Sequence, residues 1–141
     1  MMQPHNWTSI LAAAIAAWIF GTIYYSVLCN AWLAAQGETA DTMKVKNAGK
    51  PVVAKAAPFV ISFIAELVMA AALSGIMVHS GFSTARQGAI AGALCWLGFV
   101  LTTIAVNNAY AMRRPLLTVI DAGHWLGALI IIGAVVGGMG V

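Results

Sequence analysis

The chain has 141 residues, of which 62% are hydrophobic and only 8% are charged. An ordinary soluble domain carries about 25% charged residues, and a soluble core of this size could not hide so much apolar surface. Lipid must therefore be the solvent for much of the chain. The net charge of +3 is not the signature of a nucleic-acid-binding protein, because the basic residues are few and lie outside the apolar runs.

Four segments are apolar over the roughly 20 residues that a helix needs to cross a bilayer. In chain order these predicted spans cover about 7–35, 56–78, 87–110 and 115–138. Residues 1–141 are therefore predicted to form a single all-α domain, an integral membrane bundle of four transmembrane helices. Pro58 and Pro115 are expected in the first turn of a helix, where the missing N–H costs nothing. The polar stretch of about 36–55 is predicted to be a cytoplasmic loop.

Six of the seven Lys and Arg residues fall in the first and third connections, which lie on the same side of a four-span protein. These predicted topology anchors are Lys44, Lys46, Lys50, Lys55, Arg113 and Arg114. The opposite side holds only Arg86. Because cytoplasmic loops are enriched in Lys and Arg, we predict a multi-pass membrane protein with both termini on the non-cytoplasmic side.

Each predicted span carries polar residues at helical spacing, so each helix has one polar stripe. Lipid cannot satisfy such groups, and the stripes should therefore face each other. By the rise of 1.5 Å per residue, Asp121 lies roughly 10 Å inward from Arg114 and Glu66 roughly 16 Å inward from Lys55, so the polar groups can meet in the cytoplasmic half of the membrane. The sequence thus predicts one shared interior site for protons, a cation or a small polar ligand. Its predicted members are Glu66, Asp121, His124, Asn107, Tyr25 and Ser26.

The chemistry of this predicted site has several alternatives. An intramembrane acid can serve as a proton or cation relay, or as a hydrogen-bonding group that holds helices together. Glu66, Asp121 and His124 could also bind a metal such as zinc or manganese if water completed the shell. A hydrolase would use Ser26 or Ser62 with His124 and Asp121, but no motif supports it. The sequence does not favour an enzyme and names no cofactor.

Two glycine pairs and a faint repeat bear on helix packing. Gly88 and Gly92 form a GxxxG pattern in the third span, and Gly133 and Gly137 form another in the fourth. Both permit close helix contact, either within the chain or in a homo-oligomer. WIFGTIYYSVLCNAW (18–32) also aligns without gaps on WLGFVLTTIAVNNAY (96–110), with Trp18 opposite Trp96. This alignment would make the bundle a two-fold repeat of helix pairs.

Several motifs resemble a bacterial family of small four-span membrane proteins, the domain-of-unknown-function family 1761. They are NW at 6 and 7, GTIYYSVL at 21–28, the Trp32 region before the polar loop, and NNAYAMRRPLLTVIDAGHW at 107–125. The resemblance implies the four-span fold over nearly the whole chain, and it brings no activity, cofactor or catalytic residue.

The expected function is that of a small inner-membrane protein with a buried polar site that binds or relays a proton, a cation or a small polar ligand. Transport is one role that such a site could serve. The alternative is a non-catalytic accessory or assembly subunit, whose glycine faces dock onto a larger membrane complex. Expected partners are the lipid bilayer and either further copies of the chain or such a complex.

Overall fold

The structure, a computed structural model, describes residues 6–141 and places them in helices with no strand. Residues 1–5 of the predicted 1–141 domain lie outside the described part. In chain order the elements are α1 (Trp7–Val27), α2 (Cys29–Gln36), α3 (Ala40–Asn47), α4 (Val52–Ser80), α5 (Ala85–Cys95), a π-helical segment (Trp96–Leu101), α6 (Thr102–Tyr110) and α7 (Pro115–Met139).

Four helices are long and apolar enough to cross a membrane, which confirms the predicted all-α architecture. They are Trp7–Val27, Val52–Ser80, the continuous helix Ala85–Tyr110, and Pro115–Met139, with mean hydropathy between 1.8 and 2.2. The first ends earlier than the predicted 7–35, because the chain turns at Leu28 before α2 begins. The predicted loop 36–55 contains α3 and the start of α4.

Helix ends follow local sequence signals. Thr84 and Gln87 form a reciprocal capping box at the start of α5, which satisfies backbone N–H groups that have no partner inside the helix. Gly81 ends α4 at φ 68°, in the left-handed region that favours glycine. Pro115 opens α7 as predicted, but the expectation for Pro58 is wrong, because α4 begins six residues earlier at Val52. Pro58 therefore removes one hydrogen bond from the interior of α4.

The closest helix contact is between α5 and α7, and glycines form it. A β-carbon at Gly88 would collide with the backbone carbonyl of Gly133, and one at Gly133 would collide with the carbonyl of Gly88. Gly92 and Gly137 likewise lie against backbone carbonyls of the facing helix. All four glycines are buried. Both GxxxG patterns therefore contact each other within one chain, and their faces are not free for another protein.

Helix α7 lies at the centre of the bundle, packed against α1, α4 and α5. The core around it is built from small and branched side chains such as Ala17, Ala70, Ala128 and Ile132, all fully buried. At one end of the bundle, Arg114 donates a hydrogen bond to the carbonyl of Ala34 at 2.7 Å, so the two basic connections lie together.

Two tryptophans that the sequence alignment pairs make equivalent contacts. The indole of Trp18 in α1 donates to the Phe59 carbonyl of α4 at 3.1 Å. The indole of Trp96, in the π-helical segment, donates to the Ala122 carbonyl of α7 at 2.7 Å. In both cases the acceptor is the backbone of the next long helix along the chain. The two-fold repeat itself stays a prediction.

Candidate functional site

A cavity of about 430 Å³ lies between α1, α2, α4 and α7. Such a volume falls within the roughly 300–1,000 Å³ of sites for drug-sized ligands. The first residues of α4, from Val52 to Ala56, are exposed, and the α4 residues that line the cavity lie further along that helix. The lining residues are Trp18, Gly21, Thr22, Tyr25, Ser26, Cys29, Trp32, Pro58, Phe59, Ser62, Glu66 and His124.

Glu66 is the acid that lines this cavity. Its side chain comes from the middle of α4, and the residue is only 1% exposed. Its Oε2 atom is buried and has no hydrogen-bond partner. An unsatisfied buried polar atom costs about 1–3 kcal/mol, so its presence calls for an explanation. Glu66 therefore lies in the interior of the bundle, and its membership of a binding site stays a prediction.

His124 lines the same cavity from α7 and is 4% exposed. Its Nδ1 atom is likewise buried without a hydrogen-bond partner. The ring contacts four aromatic side chains: Phe20, Tyr24, Tyr25 and Trp125, with ring centroids 6.1, 5.8, 4.9 and 4.7 Å away. The Nε2 edge faces α1 at Gly21, where a β-carbon would lie 2.6 Å from that nitrogen. Glycine at position 21 therefore leaves room for the imidazole.

Asp121 is bound by aromatic donors instead of facing the cavity. The Tyr25 hydroxyl donates to its Oδ1 at 2.9 Å, and the Trp32 indole donates to the same oxygen at 3.1 Å. No hydrogen bond joins Asp121 to His124 within residues 6–141, although the two lie three apart on α7. Asp121 therefore links α7 to α1 and α2, and it holds two aromatic walls of the cavity in position.

The hydroxyls on the cavity wall donate to the backbone of their own helices. Ser26 donates to the Thr22 carbonyl at 2.6 Å, and Thr22 donates to the Trp18 carbonyl at 3.0 Å. Ser62 does the same toward Phe59, at 2.9 Å. Neither serine hydrogen-bonds to His124, so the described structure does not assemble the nucleophile and base that a hydrolase needs.

Asn107 is a predicted site residue that takes no part in this arrangement. Its side chain is exposed on α6, and it does not line the cavity. The neighbouring Asn108 is half-buried and donates to the Thr118 hydroxyl of α7 at 3.0 Å. The rotation of α6 therefore turns Asn108, one position later than predicted, toward the bundle.

The proposed metal ligands are not gathered at one point. Among residues 6–141, no three His, Cys, Asp or Glu side chains lie close enough to share a metal ion. Glu66 and His124 line the cavity, whereas Asp121 is engaged by Tyr25 and Trp32. The donor set predicted for zinc or manganese is thus split between two places.

Sequence reasoning missed several cavity residues, above all Trp18, Gly21 and Phe59. Trp18, Thr22, Tyr25 and Cys29 recur at intervals of three or four, so they share one face of α1. That spacing could have placed Trp18 beside the polar stripe. No local signal marks Phe59, because its role depends on how α4 packs against α1.

The basic end of the bundle has its own short-range contacts. Lys46 and Thr42 both donate to the Glu38 carboxylate, which sits just before α3. These two bonds, the one from Lys46 foremost, hold the pKa of the Glu38 carboxyl below its usual value. The Lys44 ammonium lies 3.9 Å from Asp41 on the exposed face of α3. The remaining predicted anchors, Lys50, Lys55 and Arg113, are exposed.

Comparison with known proteins agrees with the resemblance noted in the sequence. A search of curated proteins and a search of solved structures each found no match. A family model described as "Protein of unknown function (DUF1761)" matches residues 8–137, which include all four long helices except for their outermost residues. The chain therefore belongs to the DUF1761 family, whose fold here is a four-helix bundle suited to a membrane.

Proposed function

We propose that this membrane protein binds a small polar ligand, a cation or a proton in the cavity between α1, α2, α4 and α7. The observation that carries the proposal is the pair of buried atoms without partners, Glu66 Oε2 and His124 Nδ1, on residues that line the same cavity. Lipid offers these atoms no hydrogen bonds. Ionisable residues within a membrane are costly and usually serve a function.

Glu66 is the acid that binds the ligand or the proton, and Asp121 has a supporting role. Asp121 Oδ1 already accepts two hydrogen bonds, from Tyr25 and Trp32. Asp121 therefore orients the aromatic wall, while the Glu66 carboxyl has an oxygen available for a new partner. His124, enclosed by aromatic rings, is the second polar contact at the inner end of the cavity.

The proposed location is the bacterial inner membrane, with both termini on the non-cytoplasmic side. The charge distribution supports this orientation, because the two basic connections lie at the same end of the bundle and are tied by the bond from Arg114 to Ala34. Asn6 donates to the Met139 carbonyl at 3.3 Å, which brings the two ends of the described chain together at the opposite end.

The accessory-subunit alternative is less well supported. It relied on the glycine faces of the spans, and the glycines of α5 and α7 contact each other within the described chain.

The test is an infrared difference titration of the carboxyl groups in lipid nanodiscs, with Glu66→Gln and Asp121→Asn as assignment variants. We expect a Glu66 carboxyl band that changes with pH and disappears in Glu66→Gln. A lipid-soluble carbodiimide should also modify Glu66 in the native chain, and mass spectrometry would locate the adduct. A Glu66 band that stays in one state from pH 4 to pH 10, together with no adduct, would make Glu66 a structural group and refute the proposal.

A further inference from the structure

The chemistry of the cavity wall restricts what can bind there. The hydroxyl protons of Thr22, Ser26 and Ser62 are all donated to backbone carbonyls of their own helices. These hydroxyls therefore offer the cavity only oxygen lone pairs. A ligand that carries hydrogen-bond donors or positive charge complements such a wall better than a ligand that carries acceptors or negative charge.

The aromatic side chains on the wall also have their polar atoms engaged elsewhere. The Trp18 indole donates to Phe59, and the Tyr25 hydroxyl and the Trp32 indole donate to Asp121. These three side chains therefore present the carbon surface of their rings to the cavity, and Phe59 contributes a fourth ring. The faces of such rings attract cations, and the attraction is stronger when water is excluded.

Glu66 is the only Asp or Glu among the lining residues of the described chain, and no Lys or Arg lies among them. His124 is the only basic side chain on this lining, and its ring is enclosed by aromatic side chains. The Glu66 side chain is only 1% exposed, and its Oε2 atom has no hydrogen-bond partner. A cation that reached the inner end of the cavity would be attracted to this carboxylate and would neutralise its charge, and a cation with N–H groups would also donate to the free oxygen.

We propose that the ligand of this cavity is an organic cation with bulky apolar substituents, such as a substituted ammonium or phosphonium, bound between the Glu66 carboxylate and the aromatic wall. This inference rests on the proposed function and specifies its ligand class. The apolar substituents would occupy the volume of about 430 Å³, which is much larger than a metal ion or a single water needs.

The main competitor is an anionic amphiphile held at the neighbouring surface. A wider concavity of about 580 Å³, lined in part by Lys44 and Lys55, shares Cys29 and Trp32 with the cavity. A headgroup could pair with these lysines while an acyl chain entered the cavity. An acyl chain has no donor or charge, however, so it would leave the buried Glu66 oxygen without a partner. The cation is therefore favoured.

The experiment compares two probes of the same shape and opposite charge, tetraphenylphosphonium and tetraphenylborate. Their binding to the full chain in a neutral detergent is measured by equilibrium dialysis, and binding to empty micelles is subtracted. We expect saturable, stoichiometric binding of tetraphenylphosphonium and none of tetraphenylborate. Because this comparison needs no variant, it does not depend on whether a substitution folds. Equal binding of both ions, or binding of the borate alone, would overturn the proposal.

Two variants then locate the bound cation. Glu66→Gln should raise the Kd for tetraphenylphosphonium roughly 10- to 100-fold, as expected for the loss of a charge-assisted contact. Phe59→Leu should raise it by a smaller factor, and this site is 56% exposed, so the core is not disturbed. Glu38→Gln is the matched control, because it removes an acid outside the cavity and should leave the Kd unchanged. An unchanged Kd in Glu66→Gln would overturn the assignment.

The two proposals can fail separately. If neither probe binds, or if the borate binds as well, and Glu66 still titrates and reacts with the carbodiimide, then the ligand class is wrong and the binding site stands. If Glu66 neither titrates nor reacts, and tetraphenylphosphonium does not bind, both proposals fall.

Discussion

Replacing Gly133 with alanine tests how far the glycine contact between α5 and α7 determines the fold. A β-carbon at Gly133 would overlap the backbone carbonyl of Gly88, and its next neighbours are backbone atoms too. Backbone cannot swing aside as a flexible side chain can. The two helices would have to move apart along the interface, and the contacts at Gly92 and Gly137 would widen with them.

The magnitude of this effect follows from packing. A gap of about 0.5–1 Å forfeits about a quarter to a half of the dispersion energy of each contact that it opens. Overpacking a core costs about 1–3 kcal/mol, and in lipid no hydrophobic effect between the helices offsets that loss. Alanine also gains about 0.5–1 kcal/mol over glycine inside a helix. We therefore expect Gly133→Ala to destabilise the bundle by roughly 1–2 kcal/mol net.

The assay is reversible unfolding in mixed micelles, followed by tryptophan fluorescence. Gly138→Ala is the matched control on the same helix, because its β-carbon would meet only the Ala85 β-carbon at 3.6 Å, an ordinary contact. It should leave the free energy of unfolding unchanged or slightly raised. Equal stability of Gly133→Ala and Gly138→Ala would refute the argument that backbone contact at these glycines holds α5 against α7.

Three further predictions concern the remaining polar contacts and the topology. Tyr25→Phe and Trp32→Phe each remove one hydrogen bond to Asp121. Each should lower the free energy of unfolding by about 0.6 kcal/mol, the average for hydrogen bonds between membrane helices, and by no more than about 1.7 kcal/mol. No loss in either variant would contradict the proposed anchoring. The bond between Glu38 and Lys46 lowers the pKa of the Glu38 carboxyl in the folded chain. At a pH above the usual carboxyl pKa this bond therefore stabilises α3 fully, and its contribution is lost as the pH falls through the lower pKa of the folded state. Hydrogen exchange of the α3 amides should therefore accelerate in that acidic window, and Glu38→Gln should remove the pH dependence. Alkaline phosphatase fused to the C-terminus should be active in a bacterial host, because that enzyme folds only outside the cytoplasm. An inactive fusion would place this end in the cytoplasm and reverse the proposed orientation.

Hydropathy and charge placement were sufficient to predict the four spans and the grouping of the basic connections. Both depend on single residues and their spacing, because each helix must satisfy its own backbone in lipid whatever its neighbours are. The GxxxG patterns were visible in the same way. The sequence could not decide whether those glycines pack within the chain or between chains, since a small residue permits either contact.

The sequence predicted which polar residues lie in the spans better than it predicted which side of its helix each one occupies. Helical spacing placed Asn107 on a polar stripe, but the rotation of α6 turns Asn108 toward Thr118 and leaves Asn107 exposed. One residue is about 100° of helix rotation, so a small change in packing exchanges the buried and exposed sides. The π-helical segment before α6 adds to this change, because it departs from the regular 3.6-residue period.

The sequence by itself determined that this chain is a four-helix membrane protein with Glu66, Asp121 and His124 in its spans. Only the tertiary structure decided which partners each of these three side chains contacts. Asp121 and His124 lie three apart on one helix, yet Asp121 pairs with Tyr25 and Trp32 while His124 faces Gly21 and a cavity shared with Glu66. Spacing along a helix tells which residues share its surface. Which partner each one meets depends on the shapes of the neighbouring helices, and these are set by contacts distant in sequence.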